Sequence, residues 1–342
     1  MEKLFKNKKV LITGGAGSVG RELARAILKY HPKVLRLFDI DETRQFELQQ
    51  ELGKSRNVRF LLGDVRDRGR LRYAIEDIDI IFHAAALKHV EACEYNPFEA
   101  IKTNVLGTQN VIDVAIEEEV SKVIFTSSDK AVNPTNVMGT TKLMCERLMT
   151  AANYYRGLRD IVFSSVRFGN VVGSSGSVTP LFKAQIQAGG PVTVTNPDMT
   201  RFIMPMSRAL ELLFKATEMA QGGEVFVFKM LAVKVSDLAS TMIESLAPKC
   251  GYSPSKIKIK VIGSKPGEKM YEELMTGDDA GRALETKDMF IVLPEMKELA
   301  STKFRYPGAK PARERSYKSS DAKLLNKEEI KKMLREGRLL EA

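Results

Sequence analysis

The sequence is poor in the residues that build disulfide frameworks and metal sites. It contains no tryptophan, three histidines and three cysteines among its 342 residues. Cys93, Cys145 and Cys250 lie far apart and form neither a CxxC pair nor a zinc-binding spacing. The histidines also lack the spacing of metal ligands. We therefore interpret the cysteines as buried or idle thiols and predict no metal site.

Long apolar runs are absent as well. No stretch approaches the roughly 20 residues that a membrane helix needs. The first residues, "MEKLFKNKKVLITGG", form a basic lead into a strand and lack the apolar core and cleavage site of a signal peptide. We expect a cytoplasmic protein without a membrane partner. Hydrophobic residues make up 44% of the chain, which is ample for one large or two interleaved domains.

The chain carries a formal net charge of +10. Lysine and arginine are scattered, with some clustering near the end in "KPARERSYK" and "KEEIKKMLREGR". The second stretch mixes acidic and basic residues on a helical pattern, which is typical of a solvated face. We therefore predict no nucleic-acid partner, because an anionic small molecule such as a nucleotide explains the charge equally well.

Strand-like and helix-like patterns alternate through the first half. The short apolar runs are "KVLIT", "VLRLFDI", "VRFLLGDV", "DIIFHAAA" and "KVIFTSS". This alternation predicts an α/β fold with a doubly wound parallel sheet of the Rossmann type. We predict a dinucleotide-binding domain from residues 1–172 and 205–232. A smaller C-terminal substrate domain is expected from residues 173–204 and 233–342, where the pattern loosens.

A glycine-rich turn follows the first strand. The stretch "LITGGAGSVGRELA" places Gly14, Gly17 and Gly20 where backbone N–H groups can approach a pyrophosphate at the start of a helix. Asp39 ends the next strand, the position of a carboxylate that accepts hydrogen bonds from the adenosine ribose. That carboxylate would repel a 2′-phosphate, which favours NAD over NADP. Arg44 could offset the repulsion, and NADP stays open.

Further residues of the first half are expected to complete the dinucleotide site. Asp64 follows the third strand, where the adenine would lie. Small residues in "HAAA", at the end of the fourth strand, leave room for the dinucleotide. The remaining predicted cofactor residues are Ser18, Val19, Asp64, Val65, Ala84, Ala85, Ala86, Asn104 and Lys142.

Several stretches between about residues 10 and 275 carry a family resemblance. They are "HAAALKHV", "NVLGTQN", "SSDKAVNPTNVMGTTK", "RFGNVVGSSGSVTPLF", "NPDMTR" and "KPGEKMYEEL". Together they resemble the extended short-chain dehydrogenase/reductases, and more narrowly the UDP-N-acetylglucosamine (UDP-GlcNAc) 4,6-dehydratases of glycan synthesis. The Ser-Asp-Lys-Ala stretch is the specific part, because the whole superfamily shares the glycine loop.

The resemblance implies a reaction and roles for four residues. NAD⁺ oxidises sugar carbon C4, water leaves across C5–C6, and hydride returns to C6. Asp129 is implied as the acid for the C6 oxygen and Lys130 as the base at C5. A desolvated Lys130 near the oxidised nicotinamide would have a lowered pKa, so that its neutral amine can accept a proton. Ser128 is expected to hydrogen-bond the C4 hydroxyl, and Lys142 to bind the nicotinamide ribose.

Position 138 departs from the fuller short-chain pattern. Four residues before Lys142, that pattern has a tyrosine that takes the proton of a substrate hydroxyl, and here the residue is Met138. We expect Met138 to be a packing residue beside the substrate, and Asp129 to take the C4 hydroxyl proton directly or through water.

The substrate is expected to be UDP-GlcNAc, handled by a homo-oligomer that is a dimer or a hexamer. Asn170 should contact the UDP-sugar, and Glu268 should hold the uridine ribose. Arg201 and Lys265 are candidates for the diphosphate. With Lys88 and Met138 added, these residues make up the predicted substrate site: Lys88, Met138, Asn170, Arg201, Lys265 and Glu268.

Two other functions remain open from the sequence. A UDP-sugar 4-epimerase on the same fold needs only C4 oxidation and requires no Asp-Lys pair. A non-catalytic regulator that senses the dinucleotide would explain the missing tyrosine. For the dehydratase, the sequence slightly favours retention over inversion at C5, because Asp39 and "RLFDIDE" resemble the retaining, NAD-using branch.

Overall fold

The computed structural model describes residues 1–53, 55–174, 176–295, 304–313 and 315–341. The predicted substrate domain therefore includes positions outside the described residues, namely 175, 296–303, 314 and 342. A screen of the described residues finds no helix that is long and apolar enough to cross a membrane.

The strands are short and are numbered in chain order. They are β1 (Lys9–Thr13), β2 (Val34–Asp39), β3 (Val58–Leu62), β4 (Ile80–His83), β5 (Lys122–Thr126), β6 (Val162–Arg167), β7 (Asn170–Val171), β8 (Val192–Val194), β9 (Thr200–Met204), β10 (Val225–Phe228), β11 (Leu231–Lys234), β12 (Ile259–Val261), β13 (Glu273–Met275), β14 (Ala283–Glu285), β15 (Met289–Val292), β16 (Lys310–Pro311) and β17 (Tyr317–Lys318).

The helices connect these strands. They are α1 (Glu2–Phe5), α2 (Ser18–Leu28), α3 (Glu42–Leu52), α4 (Arg68–Ile75), α5 (Val90–Tyr95), α6 (Pro97–Ala100), α7 (Gly107–Glu117), α8 (Val137–Tyr155), α9 (Val178–Gln187), α10 (Met206–Met219), α11 (Val235–Leu246), α12 (Gly277–Ala280) and α13 (Lys327–Glu336). A π-helical turn spans Ile101–Leu106, and 3₁₀ turns span Asp129–Ala131, Pro248–Cys250 and Pro254–Lys256.

Ten strands form one large sheet in the order β3-β2-β1-β4-β5-β6-β10-β15-β14-β16. The pairs from β3 through β10 are parallel, and the pairs from β10 to β16 are antiparallel. The order reverses between β1 and β4, and ligands of such sheets bind at the carboxyl ends of the strands near that point. The predicted doubly wound α/β fold is confirmed.

Helices cover both faces of the large sheet because its central strands are apolar on both sides. On one face, α2 packs Leu23 and Ile27 against the sheet and α10. The Phe5 and Phe214 rings meet edge to face there, with centroids 4.8 Å apart. On the other face, α4, α7 and α8 bury a second apolar cluster that includes Phe163.

A third apolar cluster lies among α9, α11, α13 and the strands next to them. The small sheets beside it are β11-β9-β7, β12-β8 and β13-β17. The predicted domain boundaries stay a prediction. β14, β15 and β16 lie within residues 233–342 and belong to the large sheet. A short antiparallel edge is hard to foresee, since strands of two to four residues leave little pattern in the sequence.

Candidate active site

The glycine turn after β1 is shaped by close backbone contacts. Gly14 has φ of +68°, and a Cβ on it would lie 2.7 Å from the amide nitrogen of Ala85. A Cβ on Gly20 would collide with the carbonyl oxygen of Gly14. Helix α2 begins after Gly17, and no side chain caps its first N–H groups. The turn therefore presents a bare helix N-terminus, which fits the pyrophosphate of a dinucleotide.

Asp39 is fixed against this turn from the end of β2. One carboxylate oxygen accepts a hydrogen bond from the amide of Ala16 at 2.9 Å, and the other accepts from the amide of Asp41 at 3.0 Å. The exposed Arg44 pairs with Asp41, with Nε 3.3 Å from the carboxylate. The guanidinium charge of Arg44 is thus already matched by a carboxylate other than Asp39.

The other predicted cofactor residues surround the same strand ends. Asp64 pairs with Arg66 at 2.6 Å. Val65 is buried, and its Cγ2 would be 2.7 Å from a Cβ on Gly107. Ser18 opens α2, Val19 packs beside the first apolar cluster, and Ala84, Ala85 and Ala86 continue the chain beyond β4 toward the glycine turn.

Asn104 has a different environment from the one predicted. Its Oδ1 accepts from the amide of Leu87 at 2.8 Å, and its Nδ2 donates to the carbonyl of Leu87 at 3.0 Å and to Thr141 at 2.9 Å. The amide group is therefore occupied in holding the chain after β4 against α8. Its predicted contact with the cofactor stays a prediction.

The catalytic segment begins where β5 ends. Ser127 and Ser128 lead into the 3₁₀ turn Asp129–Ala131. The Asp129 side chain is 1% exposed, and its Oδ1 accepts hydrogen bonds from Ser128 Oγ at 2.7 Å and Lys130 Nζ at 3.0 Å. Its Oδ2 accepts none from the described residues, and a Cβ on Gly169 would lie 3.2 Å from it. Oδ2 is thus a buried acceptor whose hydrogen-bonding capacity the described residues leave unused.

A second carboxylate, which sequence reasoning missed, completes this cluster. Glu272 is 3% exposed, and its Oε1 lies 3.6 Å from Lys130 Nζ and 3.8 Å from Arg201 Nε. Its Oε2 has no hydrogen-bond partner among the described residues. Glu272 lies in the "YEEL" part of the stretch "KPGEKMYEEL", which carries part of the family resemblance. In that stretch the sequence analysis predicts only Lys265 and Glu268 as site residues.

The charge state of Lys130 corrects the sequence interpretation. Burial lowers the pKa of Lys130, but attraction to Asp129 and Glu272 outweighs it and holds the pKa above its ordinary value. Burial also raises the pKa of Glu272, and repulsion from Asp129 adds to that rise. The two carboxylates therefore favour the charged ammonium form of Lys130.

Lys142 and Met138 face different surroundings on α8. Lys142 is buried, its Nζ donates to the carbonyl of Thr126 at 3.0 Å, and burial lowers its pKa. Met138 is 3% exposed and packs in a small apolar cluster with Cys93 and Ala100. The methionine is thus part of the packing beneath the catalytic segment.

The predicted substrate residues divide into two groups. Arg201 and Glu268 pair at 3.2 Å, and Glu272 links this pair to Lys130. Lys265 instead pairs with Glu91 at 2.8 Å, with both side chains more than half exposed. Asn170 lies in β7, which runs parallel to β9, and Lys88 is exposed beyond β4. The structure brings only Arg201 and Glu268 to the acid–base cluster through described ion pairs.

Residues 265–273 also contact the chain that leads from the 3₁₀ turn into α8, and we call them the clamp segment. The carbonyl oxygen of Gly267 accepts from Thr135 Oγ1 and Asn136 Nδ2, each at 3.1 Å. Lys269 donates to the carbonyl of Val132 at 2.8 Å. Asn133 donates to Glu273 at 2.7 Å. The clamp segment therefore fixes the catalytic turn from outside the large sheet.

The sequence matches a known protein family. The sequence profile of the family described as polysaccharide biosynthesis protein matches residues 10–294. The chain belongs to this family. The resemblance to extended short-chain dehydrogenase/reductases and to UDP-GlcNAc 4,6-dehydratases is thereby confirmed.

Members of the polysaccharide biosynthesis family that resemble this chain have different names. An uncharacterized membrane protein of Methanocaldococcus jannaschii is 54% identical over 98% of both chains. The inverting UDP-GlcNAc 4,6-dehydratase of Campylobacter jejuni is 40% identical over 86% of this chain and 85% of its own. A UDP-glucose 4-epimerase of Rickettsia rickettsii is 38% identical over 97% of this chain and 96% of its own.

Among solved structures, Pen from Bacillus thuringiensis superposes with a TM-score of 0.92 at 47% identity. The match covers 98% of this chain and 99% of Pen. The family's fold therefore extends over nearly the whole chain, including the clamp segment.

Proposed function

We propose that this protein is a nucleotide-sugar 4,6-dehydratase that removes water from UDP-GlcNAc. The observation that carries the proposal is the buried Asp129–Lys130 pair after β5, in which Asp129 Oδ2 has no partner among the described residues. Loss of water across C5–C6 needs an acid and a base on opposite sides of one carbon–carbon bond. Two adjacent residues at the carboxyl end of a sheet strand provide both.

The dinucleotide in this proposal is NAD. It would take hydride from C4 and return it to C6. The glycine turn and the start of α2 would hold its pyrophosphate, and Asp39 would accept from the adenosine ribose. The Asp39 carboxylate supports NAD over NADP, because its charge would repel a 2′-phosphate, and Arg44, which could offset that repulsion, is paired with Asp41.

In the proposed reaction Asp129 replaces the missing tyrosine. Its open oxygen would take the C4 hydroxyl proton, directly or through water, and would later protonate the C6 hydroxyl as it leaves. Ser128 would hydrogen-bond the C4 hydroxyl, and Lys130 would remove the C5 proton. Lys142, held at the carbonyl of Thr126, would contact the nicotinamide ribose and add positive potential.

The UDP moiety would lie toward the clamp segment. Arg201 is the favoured diphosphate ligand, because it is buried beside the acid–base cluster and already binds carboxylates. Glu268 accepts from Thr195 and Arg201, so it would bind the uridine ribose only by sharing those contacts. Lys88, Lys265 and Asn170 remain proposed ligands.

At carbon C5 the proposal follows the relative rather than the sequence expectation. The Campylobacter jejuni dehydratase is named as inverting. Retention was expected from residues around Asp39, but Asp39 contacts the glycine turn and so bears on the cofactor instead of the sugar. We therefore propose inversion at C5. A proton NMR spectrum of the C5–C6 region of the product distinguishes the two outcomes.

A 4-epimerase is the second candidate. The specific observation in its favour is the Rickettsia rickettsii relative, which aligns over more of this chain than the dehydratase does. An epimerase has no C5 chemistry to perform, however, and the Asp129–Lys130–Glu272 cluster would then have no task.

The test is incubation of the purified protein with UDP-GlcNAc, followed by mass spectrometry of the nucleotide sugar. The proposal predicts a product lighter by one water molecule. A product of unchanged mass with an inverted C4 would establish the epimerase. Bound NAD without any turnover would establish the regulator.

A further inference from the structure

Glu272 is the buried carboxylate that the proposed reaction does not yet use. Its backbone is fixed by two hydrogen bonds with Ser319, one from the Ser319 amide at 2.9 Å and one to Ser319 Oγ at 3.0 Å. Its side chain is therefore held beside Lys130 by the fold. The unpartnered Oε2 shows that the carboxylate is not consumed by structural hydrogen bonds, as buried carboxylates ordinarily are.

The charged groups around Glu272 come from three parts of the chain. Asp129 and Lys130 approach from the turn after β5, Arg201 approaches from β9, and Lys269 lies in the clamp segment. Arg201 Nε and Lys130 Nζ both face Oε1. Of these cations, Lys130 acts in the proposed chemistry. Its Nζ lies 3.6 Å from Glu272 Oε1, a few tenths of an ångström longer than an ordinary hydrogen bond.

Lys130 faces a difficulty that this arrangement resolves. An ammonium cannot take the proton of C5. The carboxylates of Asp129 and Glu272, however, stabilise the protonated form of Lys130. Asp129 cannot accept the proton of Lys130, because in the proposed reaction Asp129 already carries the C4 hydroxyl proton when C5 is deprotonated. A second acceptor within reach of Nζ is required, and Glu272 is the remaining carboxylate that pairs with Nζ among the described residues.

We propose that Glu272 is a positioning residue that accepts the resting proton of Lys130 and so converts it into the neutral base for C5. This inference rests on the proposed dehydratase function. The Nζ–H bond breaks and an Oε–H bond forms, which leaves a neutral amine and a neutral carboxylic acid. The amine then takes the C5 proton. After hydride reaches C6, a water molecule on the opposite face protonates C5, as inversion requires, and Lys130 gives its extra proton to the hydroxide left behind. Glu272 finally returns its own proton to Lys130, and no net proton is gained or lost.

The environment of Glu272 suits this exchange. Burial raises the pKa of its carboxyl, although attraction to Lys130 and Arg201 acts against the rise. Burial thus favours the neutral acid, and the opposing attraction to Lys130 disappears once Lys130 has given up its proton. The transfer also replaces two buried charges by two neutral groups, which costs little in a site with low dielectric.

The experiment compares the wild-type protein with Glu272→Gln, Glu272→Asp and the control Glu285→Gln. Glu285 is a lysine-paired glutamate of β14, bound to Lys229 at 2.6 Å, outside the site. Glu272→Gln keeps the side-chain size and cannot accept the proton. We expect a loss of roughly 10²-fold in kcat with little change in KM, at the low end of what a proton-transfer group contributes.

Two readouts separate this role from a structural one. With Glu272→Gln, NADH should accumulate in a single turnover, because C4 is oxidised normally and C5 deprotonation is slow. Its kcat should also rise about tenfold per pH unit toward alkaline pH, since Lys130 must lose its proton to solvent. Glu272→Asp should restore part of the activity, and Glu285→Gln should behave as wild type. Unchanged bound NAD and thermal unfolding would show that the variants fold.

The outcomes that overturn the inference are distinct from those that overturn the proposed function. Removal of the Glu272 charge alone would lower the pKa of Lys130. An active wild type combined with a Glu272→Gln variant of equal or higher kcat and unchanged pH profile would therefore refute the proton-acceptor role. If the wild type removes no water from UDP-GlcNAc, the proposed function fails, and this inference fails with it.

Discussion

The two oxygens of Asp129 have unequal surroundings, and this difference underlies the first prediction. Oδ1 is held by Ser128 and Lys130, whereas Oδ2 is buried and has no hydrogen-bond partner among the described residues. Asp129→Asn keeps the size but cannot exchange a proton. We expect C4 oxidation to slow by roughly 10²–10⁴-fold, the usual range for an acid–base group, so that NADH does not appear in a single turnover.

The opposite result would narrow the role of Asp129. If Asp129→Asn still forms NADH at the normal rate and stalls only afterwards, Asp129 acts as the C6 acid alone. The C4 proton would then leave by another route, through Ser128 and water.

Met138 provides the companion prediction. It packs in an apolar cluster with Cys93 and Ala100, and thioethers do not exchange protons. Met138→Leu conserves apolar volume, so the free energy of unfolding should change by less than about 1.5 kcal/mol. Steady-state kinetics should give a kcat within a few-fold of wild type. A large loss of kcat with normal stability would mean that the methionine shapes the substrate pocket.

At the residue scale, the sequence predicts Asp129 and Lys130 as an acid–base pair but does not reveal the Glu272 carboxylate beside them. Asp129 and Lys130 are adjacent in the chain, so the resemblance alone located both. Glu272 is distant in sequence and reaches Lys130 only because the clamp segment crosses the catalytic turn. Burial lowers the pKa of Lys130, as the sequence led us to expect, but attraction to Asp129 and then to Glu272 outweighs it and holds the pKa above its ordinary value.

At the element scale, the junction between the clamp segment and α8 depends on one asparagine. Asn136 Oδ1 caps α8 by accepting from the amide of Gly139 at 2.8 Å, while its Nδ2 donates to the carbonyl of Gly267. Asn136→Ala removes both contacts. We expect a loss of about 1 kcal/mol in the free energy of unfolding from the missing cap, measured by urea denaturation. Turnover of UDP-GlcNAc should also fall, because the catalytic turn is less firmly held.

Thr135→Val is the matched control for this junction. It removes one hydrogen bond to the same carbonyl of Gly267 but leaves the helix cap intact. Its free energy of unfolding should therefore stay within about 0.5 kcal/mol of wild type, as for most surface substitutions. Equal losses for both variants would show that the cap contributes nothing.

The elements themselves were predicted unevenly, and the reason is physical. Parallel strands such as β1, β4 and β5 are buried on both faces, which leaves continuous apolar runs that the sequence displays clearly. The antiparallel edge of β14, β15 and β16 has short strands and no comparable run. The clamp segment has little regular structure, and its position is set by hydrogen bonds to distant backbone carbonyls.

At the scale of the whole molecule, one buried guanidinium joins four elements. Arg167 in β6 binds Glu146 of α8 through two hydrogen bonds, at 2.6 and 3.0 Å. It also binds Asp279 of α12 at 3.0 Å and the carbonyl of Leu274 in β13 at 2.9 Å. The Arg167 side chain therefore connects the large sheet with the chain around the clamp segment.

Removal of this guanidinium should destabilise the whole fold. Arg167→Leu leaves the Glu146 and Asp279 carboxylates buried without this partner, and we expect a loss of about 3–5 kcal/mol in the free energy of unfolding, measured by denaturant titration. Arg208→Leu is the control, because Arg208 is partly exposed and its partner Asp288 also binds Lys215. That variant should lose about 1 kcal/mol or less. Similar losses for the two variants would contradict the role given to Arg167.

The central claim is that Asp129 and Lys130 divide the chemistry that Met138 cannot perform. The most direct test is a single-turnover trace of NADH absorbance for Lys130→Ala with UDP-GlcNAc, with bound NAD confirmed beforehand. The account predicts that NADH forms and persists while no water is lost, because C4 is oxidised by way of Asp129 and the base for C5 is missing. Loss of water at more than about a tenth of the wild-type rate would contradict it, since an essential acid–base group contributes roughly 10²–10⁴-fold.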